Sequence, residues 1–203
     1  MSYTIGICGG SASGKTAFVK AIRQKFPEKD VCLFSMDNYY KTIDLQPLDL
    51  SGVVNFDSPD SIDLALLLKD LRRLKAGDTI RGIEYVYNNP DKSGKEYLIK
   101  SAPVILVEGI FVLVFEELLQ ELDLKIFIEA QDHIRIKRRI QRDWEERGYT
   151  MEDVFYRYEH HVVPTYERYI SPTRHFSDLI IPNNVTFENA LAVLTTFIHS
   201  RII

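Results

Sequence analysis

The chain has 203 residues, 45% of them hydrophobic, which is enough for one substantial core and does not demand a second domain. Its formal net charge of −4 and pI near 5.8 leave no excess of cations to release phosphate counterions, which excludes a general nucleic-acid or anionic-membrane binder. The longest apolar stretch, Val104 to Val114, contains Glu108 and is too short to span a bilayer, and no charged region precedes a signal core at the N-terminus, so a cytoplasmic protein is expected.

The run Tyr3-Thr4-Ile5-Gly6-Ile7-Cys8 reads as a strand over 3–8. Directly after it, Gly9-Gly10-Ser11-Ala12-Ser13-Gly14-Lys15-Thr16 has the spacing G-x-x-x-x-G-K-[ST], ahead of a helix over 15–26. Glycines there let the backbone curl so that successive N–H groups and a helix N-terminus face phosphate oxygens. Lys15 adds a compact charge and Thr16 a hydroxyl for magnesium, so residues 9–16 are expected to hold a nucleotide's phosphates. A second strand covers 31–36, a long unpatterned loop 42–59, and a helix 61–75 for which Asp60 and Ser61 offer a cap. Residues 79–100 alternate, turn at Asn88-Asn89-Pro90-Asp91 and resume at Tyr97, which predicts an antiparallel hairpin over the rim of the sheet. Strands at 103–107, 124–129 and 177–181 then alternate with helices at 132–146, 150–169 and 186–201. The pattern as a whole predicts an α/β fold, a parallel sheet with helices on both faces. Cys8 and Cys32 read as small buried hydrophobes.

In open parallel sheets ligands gather at the carboxyl ends of the strands, so acids placed there decide the chemistry. Val104-Ile105-Leu106-Val107 ends in Glu108, either a magnesium-organising acid or a solvated strand-end glutamate. Asp37 ends the preceding strand-like run, as a base for a substrate hydroxyl or as a helix cap. The segment 132–149 holds six basic residues nearly balanced by Asp132, Asp143, Glu145 and Glu146; it suits a solvated helix or, beside a phosphate loop, a closing lid. His160-His161 on the helix 150–169 point about 100° apart, too far to share an ion, and are expected to be solvated or at an interface.

The phosphate loop, then Met36-Asp37-Asn38-Tyr39-Tyr40-Lys41, Asn55-Phe56-Asp57-Ser58-Pro59-Asp60, Val107-Glu108-Gly109-Ile110, Arg138-Arg139-Ile140-Gln141-Arg142-Asp143 and Arg147-Gly148 follow one another in an order that resembles the uridine–cytidine kinase and phosphoribulokinase family. The resemblance covers nearly the whole chain. It implies a three-layer sandwich on a five-stranded parallel sheet, magnesium-ATP as phosphoryl donor, transfer to a ribose 5′-hydroxyl, and a homo-oligomer. It also implies that Asp37 is the base and that Thr16, Asp37 and Glu108 surround the magnesium. Tyr40 and Phe56 would line the acceptor pocket, Asp57 and Arg139 would hold the ribose diol, and Arg142 and Arg147 would approach the phosphates alongside Lys15.

Pyrimidine nucleoside kinases of that family take a tyrosine and a histidine from the hairpin and an arginine just after the Arg-Gly pair. Here those positions hold Ile83, Asn88 and Tyr149; a different register through the hairpin puts Tyr85 or Tyr87 in the tyrosine's place. Ser58 likewise replaces the histidine of a Phe-Asp-His-Pro stretch. A site built to hydrogen-bond its substrate loses heavily when a partner is missing, so the acceptor is uridine, cytidine or another ribose-like small alcohol. A GTP-binding switch is the rival class. Asp49-Leu50-Ser51-Gly52 matches its D-x-x-G element but lacks a preceding apolar strand, and no N-K-x-D follows. A catalytically idle nucleotide-binding relative is the third reading. Gly6, Gly9, Gly10 and Gly14 do not form the G-x-G-x-x-G of a dinucleotide site.

Overall fold

Five β-branched, apolar runs lie side by side as a parallel sheet in the computed structural model, which describes residues 2–86, 94–145 and 147–202. In spatial order they are β2 (Val31–Ser35), β5 (Val104–Glu108), β1 (Tyr3–Cys8), β6 (Leu124–Glu129) and β7 (Leu179–Pro182). Because strand side chains alternate with a period of two, each central strand feeds two cores. Ile5, Ile7, Val104, Leu106, Ile126 and Ile128 pack against Phe18, Val19 and Ile22 of α1 (Lys15–Arg23) and Leu191, Leu194 and Ile198 of α7 (Glu188–Ile202). Ile105, Val107 and Phe127 face the other way, onto Leu67, Leu71 and Leu74 of α2 (Leu64–Lys75) and Phe111. No helix among the described residues is long and apolar enough to cross a membrane.

The register levels the strand ends. Ile7 of β1 and Ser35 of β2 both stand beside Glu108 of β5, so the turn after β1, Asp37 and Glu108 emerge at one edge of the sheet. A separate antiparallel pair, β3 (Thr79–Ile83) and β4 (Glu96–Lys100), runs from Thr79↔Lys100 to Ile83↔Glu96, and Ile80, Tyr97 and Ile99 join the core on the α2 side. The turn expected at Asn88-Asn89-Pro90-Asp91 lies outside the described residues. After α3 (Glu116–Leu119) and β6 comes α4 (Asp132–Glu145), then α5 (Met151–Arg157). The helix continues beyond α5 through wide π turns at Tyr158–Val162 and Tyr166–Ile170, on either side of α6 (Val163–Thr165).

The cap of α2 differs from expectation. Pro59–Ser61 forms a short 3-10 turn with the Ser58 hydroxyl accepting from the Asp60 amide, and the Ser61 hydroxyl donates back to the Ser58 and Phe56 carbonyls. Those residues are therefore engaged in the loop, and Asp63 takes the cap, its carboxylate accepting from the Leu66 amide at 3.0 Å. Asp63→Ala is expected to lower the unfolding free energy by about 1 kcal/mol, while Asp60→Ala leaves it nearly unchanged; urea denaturation of the two variants checks this.

Candidate functional site

Two glycines let the turn after β1 approach its neighbours. Gly9 has φ of 144° and a Cβ there would strike the Ile128 carbonyl; Gly14 has φ of 101° and a Cβ there would strike the Asn183 amide nitrogen. The Asn183 side chain instead donates to the Ser13 carbonyl at 2.8 Å and Arg138 donates to the Asn183 carbonyl at 3.2 Å, which ties the turn to the chain after β7. Lys15 is buried, and its ammonium donates to the Gly9 and Gly10 carbonyls, both at 3.0 Å. Burial pushes its pKa down against the opposing pull of Glu108. Ser11, Ala12, Gly14, Lys15 and Thr16 line a cavity of about 300 Å³, while Ser13 is fully buried behind them.

The strand-end acids converge on this turn. The Thr16 hydroxyl donates to Glu108 at 3.3 Å, and Asp37 and Glu108 line the same cavity. Burial, reinforced by the Asp37 charge and opposed by Lys15, raises the Glu108 carboxyl to about 7. The donor set here is oxygen throughout, a hydroxyl and two carboxylates, which suits a hard cation such as magnesium.

In the same cavity Asp57 is buried and accepts from both Arg139 nitrogens, Nη1 and Nη2, at 3.1 Å each, and Nη1 also donates to the Ser11 hydroxyl of the turn at 2.9 Å. Burial opposes charge on Asp57, yet the guanidinium prevails and holds its carboxyl below the usual range. Tyr40, Phe56 and Tyr85 form a three-ring wall, with centroids 5.3 to 6.0 Å apart. Ile83 does not join it. The period of two that buries Ile80 turns Ile83 to the outer face of β3, where it is 62% exposed, and Tyr85 reaches the aromatic wall in its place. Asn88 lies outside the described residues. Tyr149 lines the cavity at 9% exposure, whereas Trp144 is 59% exposed.

The basic helix α4 has a polar buried face. Arg135, Arg139 and Asp143, spaced four apart, are all nearly inaccessible. Arg135 is paired with Asp132 at 2.6 Å and lies 3.6 Å over the Tyr166 ring. Asp143 gathers Arg139 at 3.0 Å, Arg142 at 2.8 Å and Arg147 at 3.3 Å around one carboxylate. Burial, and then the neighbouring Arg147, lower the pKa of Arg142.

Sequence reasoning misses three features. Asp143 enters it only as part of a charge balance. His161 is 1% exposed rather than solvated; its Nε2 lies 2.7 Å from Asp49, whose carboxylate also accepts from the Tyr156 hydroxyl at 2.9 Å and from the Ser51 and Val53 amides. The D-x-x-G match is thus a tight loop pinned to the helix. Arg157, which no motif flags, lines the cavity and donates to the Val54 carbonyl at 2.7 Å. Among the described residues no cluster of His, Cys, Asp and Glu forms a ready metal site of its own.

The sequence model of the phosphoribulokinase/uridine kinase family matches residues 4–189. The uridine kinase of Borrelia garinii subsp. bavariensis is 40% identical over 200 residues, 98% of this chain and 96% of its own length. That of Streptococcus gordonii is 36% identical over 195 residues, 96% of this chain and 93% of its own. The phosphoribulokinase structure from Rhodobacter spheroides superposes with a TM-score of 0.63 at 19% identity, covering 89% of this chain and 70% of that one, a likeness of fold.

The raised Glu108 carboxyl has a sign that experiment can read. Between its ordinary 4.5 and about 7 the folded protein keeps a proton that the unfolded chain has released, so its contribution to stability falls as pH rises through that window. Glu108→Gln should therefore raise the melting temperature of the ligand-free protein at pH 8 by several degrees and leave it nearly unchanged at pH 4.5. Scanning calorimetry at the two pH values decides it.

Proposed function

Because this chain belongs to the phosphoribulokinase/uridine kinase family, we propose that it is an ATP-dependent nucleoside kinase that moves the γ-phosphate to the 5′-hydroxyl of a ribonucleoside, uridine and cytidine being the leading acceptors. One observation carries this reading: the Lys15 turn, Asp37, Glu108, Asp57, Arg139, Tyr40 and Phe56 all line a single cavity, and Arg139 joins Asp57 to the turn through the Ser11 hydroxyl at 2.9 Å. An alcohol held on Asp57 in that cavity stands beside the phosphates it attacks.

Phosphoryl transfer asks the protein mainly to align the attacking and leaving oxygens and to offset charge on the equatorial ones. Lys15, released from the Gly9 and Gly10 carbonyls, supplies a fixed charge at the phosphates. Thr16, Asp37 and Glu108 would hold magnesium, which when bound adds further charge compensation there. Asp37, at the end of β2, takes the proton of the attacking hydroxyl. Asp57, already fixed by Arg139, has lone pairs left on both oxygens for the two hydroxyls of a ribose diol. The segment 132–149 acts as a lid. Arg142 and Arg147 share the Asp143 carboxylate in the structure and turn to the phosphates on closure, which also keeps water from competing for the γ-phosphate.

A different ribose-like acceptor is the second reading. It is favoured by Ile83 pointing away from the cavity and by Tyr149 standing where the family places an arginine. An ADP-release assay across nucleosides and sugar alcohols separates the two: turnover of uridine or cytidine supports the first, and turnover of another acceptor alone supports the second. Asp37→Asn is expected to retain ATP binding, read by calorimetry, and to lower kcat by about 10²–10⁴-fold. A near wild-type rate removes Asp37 from the role of base.

A further inference from the structure

The cavity is lined by more cations than its phosphate end uses. Arg138 is spent on the Asn183 carbonyl, Arg139 on Asp57, and Arg142 and Arg147 on Asp143. Arg157 differs from all of these: it forms no ion pair among the described residues. Its Nη1 donates to the Val54 carbonyl, two residues before Phe56, and its guanidinium carbon lies 5.1 Å from the centre of the Tyr149 ring. Its Nε is buried with no hydrogen-bond partner among the described residues. A guanidinium has donors only, and a buried donor left unpaired is costly, so this group is built to meet lone pairs.

Its surroundings define what brings those lone pairs. The three-ring wall of Tyr40, Phe56 and Tyr85 accommodates a flat ring, and its Tyr40 and Phe56 line the same cavity as Tyr149 and Arg157. The guanidinium that the family carries directly after Arg-Gly, absent at Tyr149, enters here from α5 and lies against the face of the Tyr149 ring. It is also held in advance. Val54 belongs to the loop that Asp49 pins to His161 and Tyr156, so the carbonyl anchoring Arg157 is fixed before an acceptor arrives.

We infer that Arg157 is a specificity-determining residue that donates to a carbonyl oxygen of the acceptor's planar base, the base lying against the Tyr40, Phe56 and Tyr85 wall. This rests on the nucleoside kinase reading and adds to it the group that distinguishes a nucleoside from a bare sugar.

The test compares uridine with methyl β-D-ribofuranoside, which keeps the diol and the 5′-hydroxyl but has no base. In Arg157→Ala the KM for uridine should rise about tenfold or more, with the KM for ATP and the binding of the riboside, read as its KM or as its inhibition constant against uridine, within about twofold of wild type. Arg157→Gln, which keeps a neutral donor, should recover part of the loss. An unchanged KM for uridine overturns the inference. Equal weakening of uridine and riboside also overturns it, because Arg157 would then act only by holding Val54 and the Phe56–Asp57 segment. Calorimetric melting of both variants identifies a folding defect, in which case the same comparison is made with Arg157→Gln at a temperature where it is folded. Should the wild-type protein phosphorylate neither uridine nor cytidine, the nucleoside reading falls first and this inference with it.

Discussion

A buried ammonium is the constraint on which the site depends. Lys15 is almost inaccessible, and an uncompensated charge in such a place costs far more than a domain of this size can spare. Two backbone carbonyls, Gly9 and Gly10, together with the Glu108 carboxyl, make it tolerable. Both carbonyls come from the tight turn that glycine permits, and the Glu108 carboxyl is brought alongside by the parallel register that sets Ile7 next to Glu108. The groups that compensate Lys15 are ones whose place anionic phosphates would take, and the parallel register of the sheet holds them level.

Helix α4 obeys the same rule at larger scale. Arg135, Arg139 and Asp143 place charge on the buried face of α4, which only works because each finds a partner: Asp132 and the Tyr166 ring, Asp57, and the trio of arginines respectively. Six cations, Lys15, Arg138, Arg139, Arg142, Arg147 and Arg157, and four carboxylates, Asp37, Asp57, Glu108 and Asp143, thus share one small volume. Such a network holds its members in place by mutual attraction, and phosphate oxygens would offer its arginines the same forked geometry as a carboxylate.

The parts of this structure that are legible in the sequence are those set by local spacing. The glycine-rich turn after β1, the strands around it and the placing of Asp37 and Glu108 beside it follow from contiguous motifs and from the rule that parallel strands end together. What escapes is decided by distant partners. His161 reads like its exposed neighbour His160 until Asp49, 112 residues away, is found against it. Asp143 looks like half of a solvated charge pattern, since the i, i+4 spacing of a surface helix and of a buried ionic stripe is identical. Of the two hairpin candidates, Ile83 is turned outward by the period of two that buries Ile80, a fact of strand pairing that motif spacing does not carry, while Tyr85, beyond the end of β3, stands among the aromatic rings. Asp63 displaces Asp60 and Ser61 as the helix cap because a proline-led turn has already engaged them.

The most direct measurement is a crystal structure with magnesium and a non-hydrolysable ATP analogue. The account predicts that the Lys15 ammonium leaves the Gly9 and Gly10 carbonyls for the terminal phosphates, that the metal lies among Thr16, Asp37 and Glu108, and that Arg142 and Arg147 exchange Asp143 for phosphate oxygens. A triphosphate bound elsewhere, with Lys15 still on its two carbonyls, would contradict it.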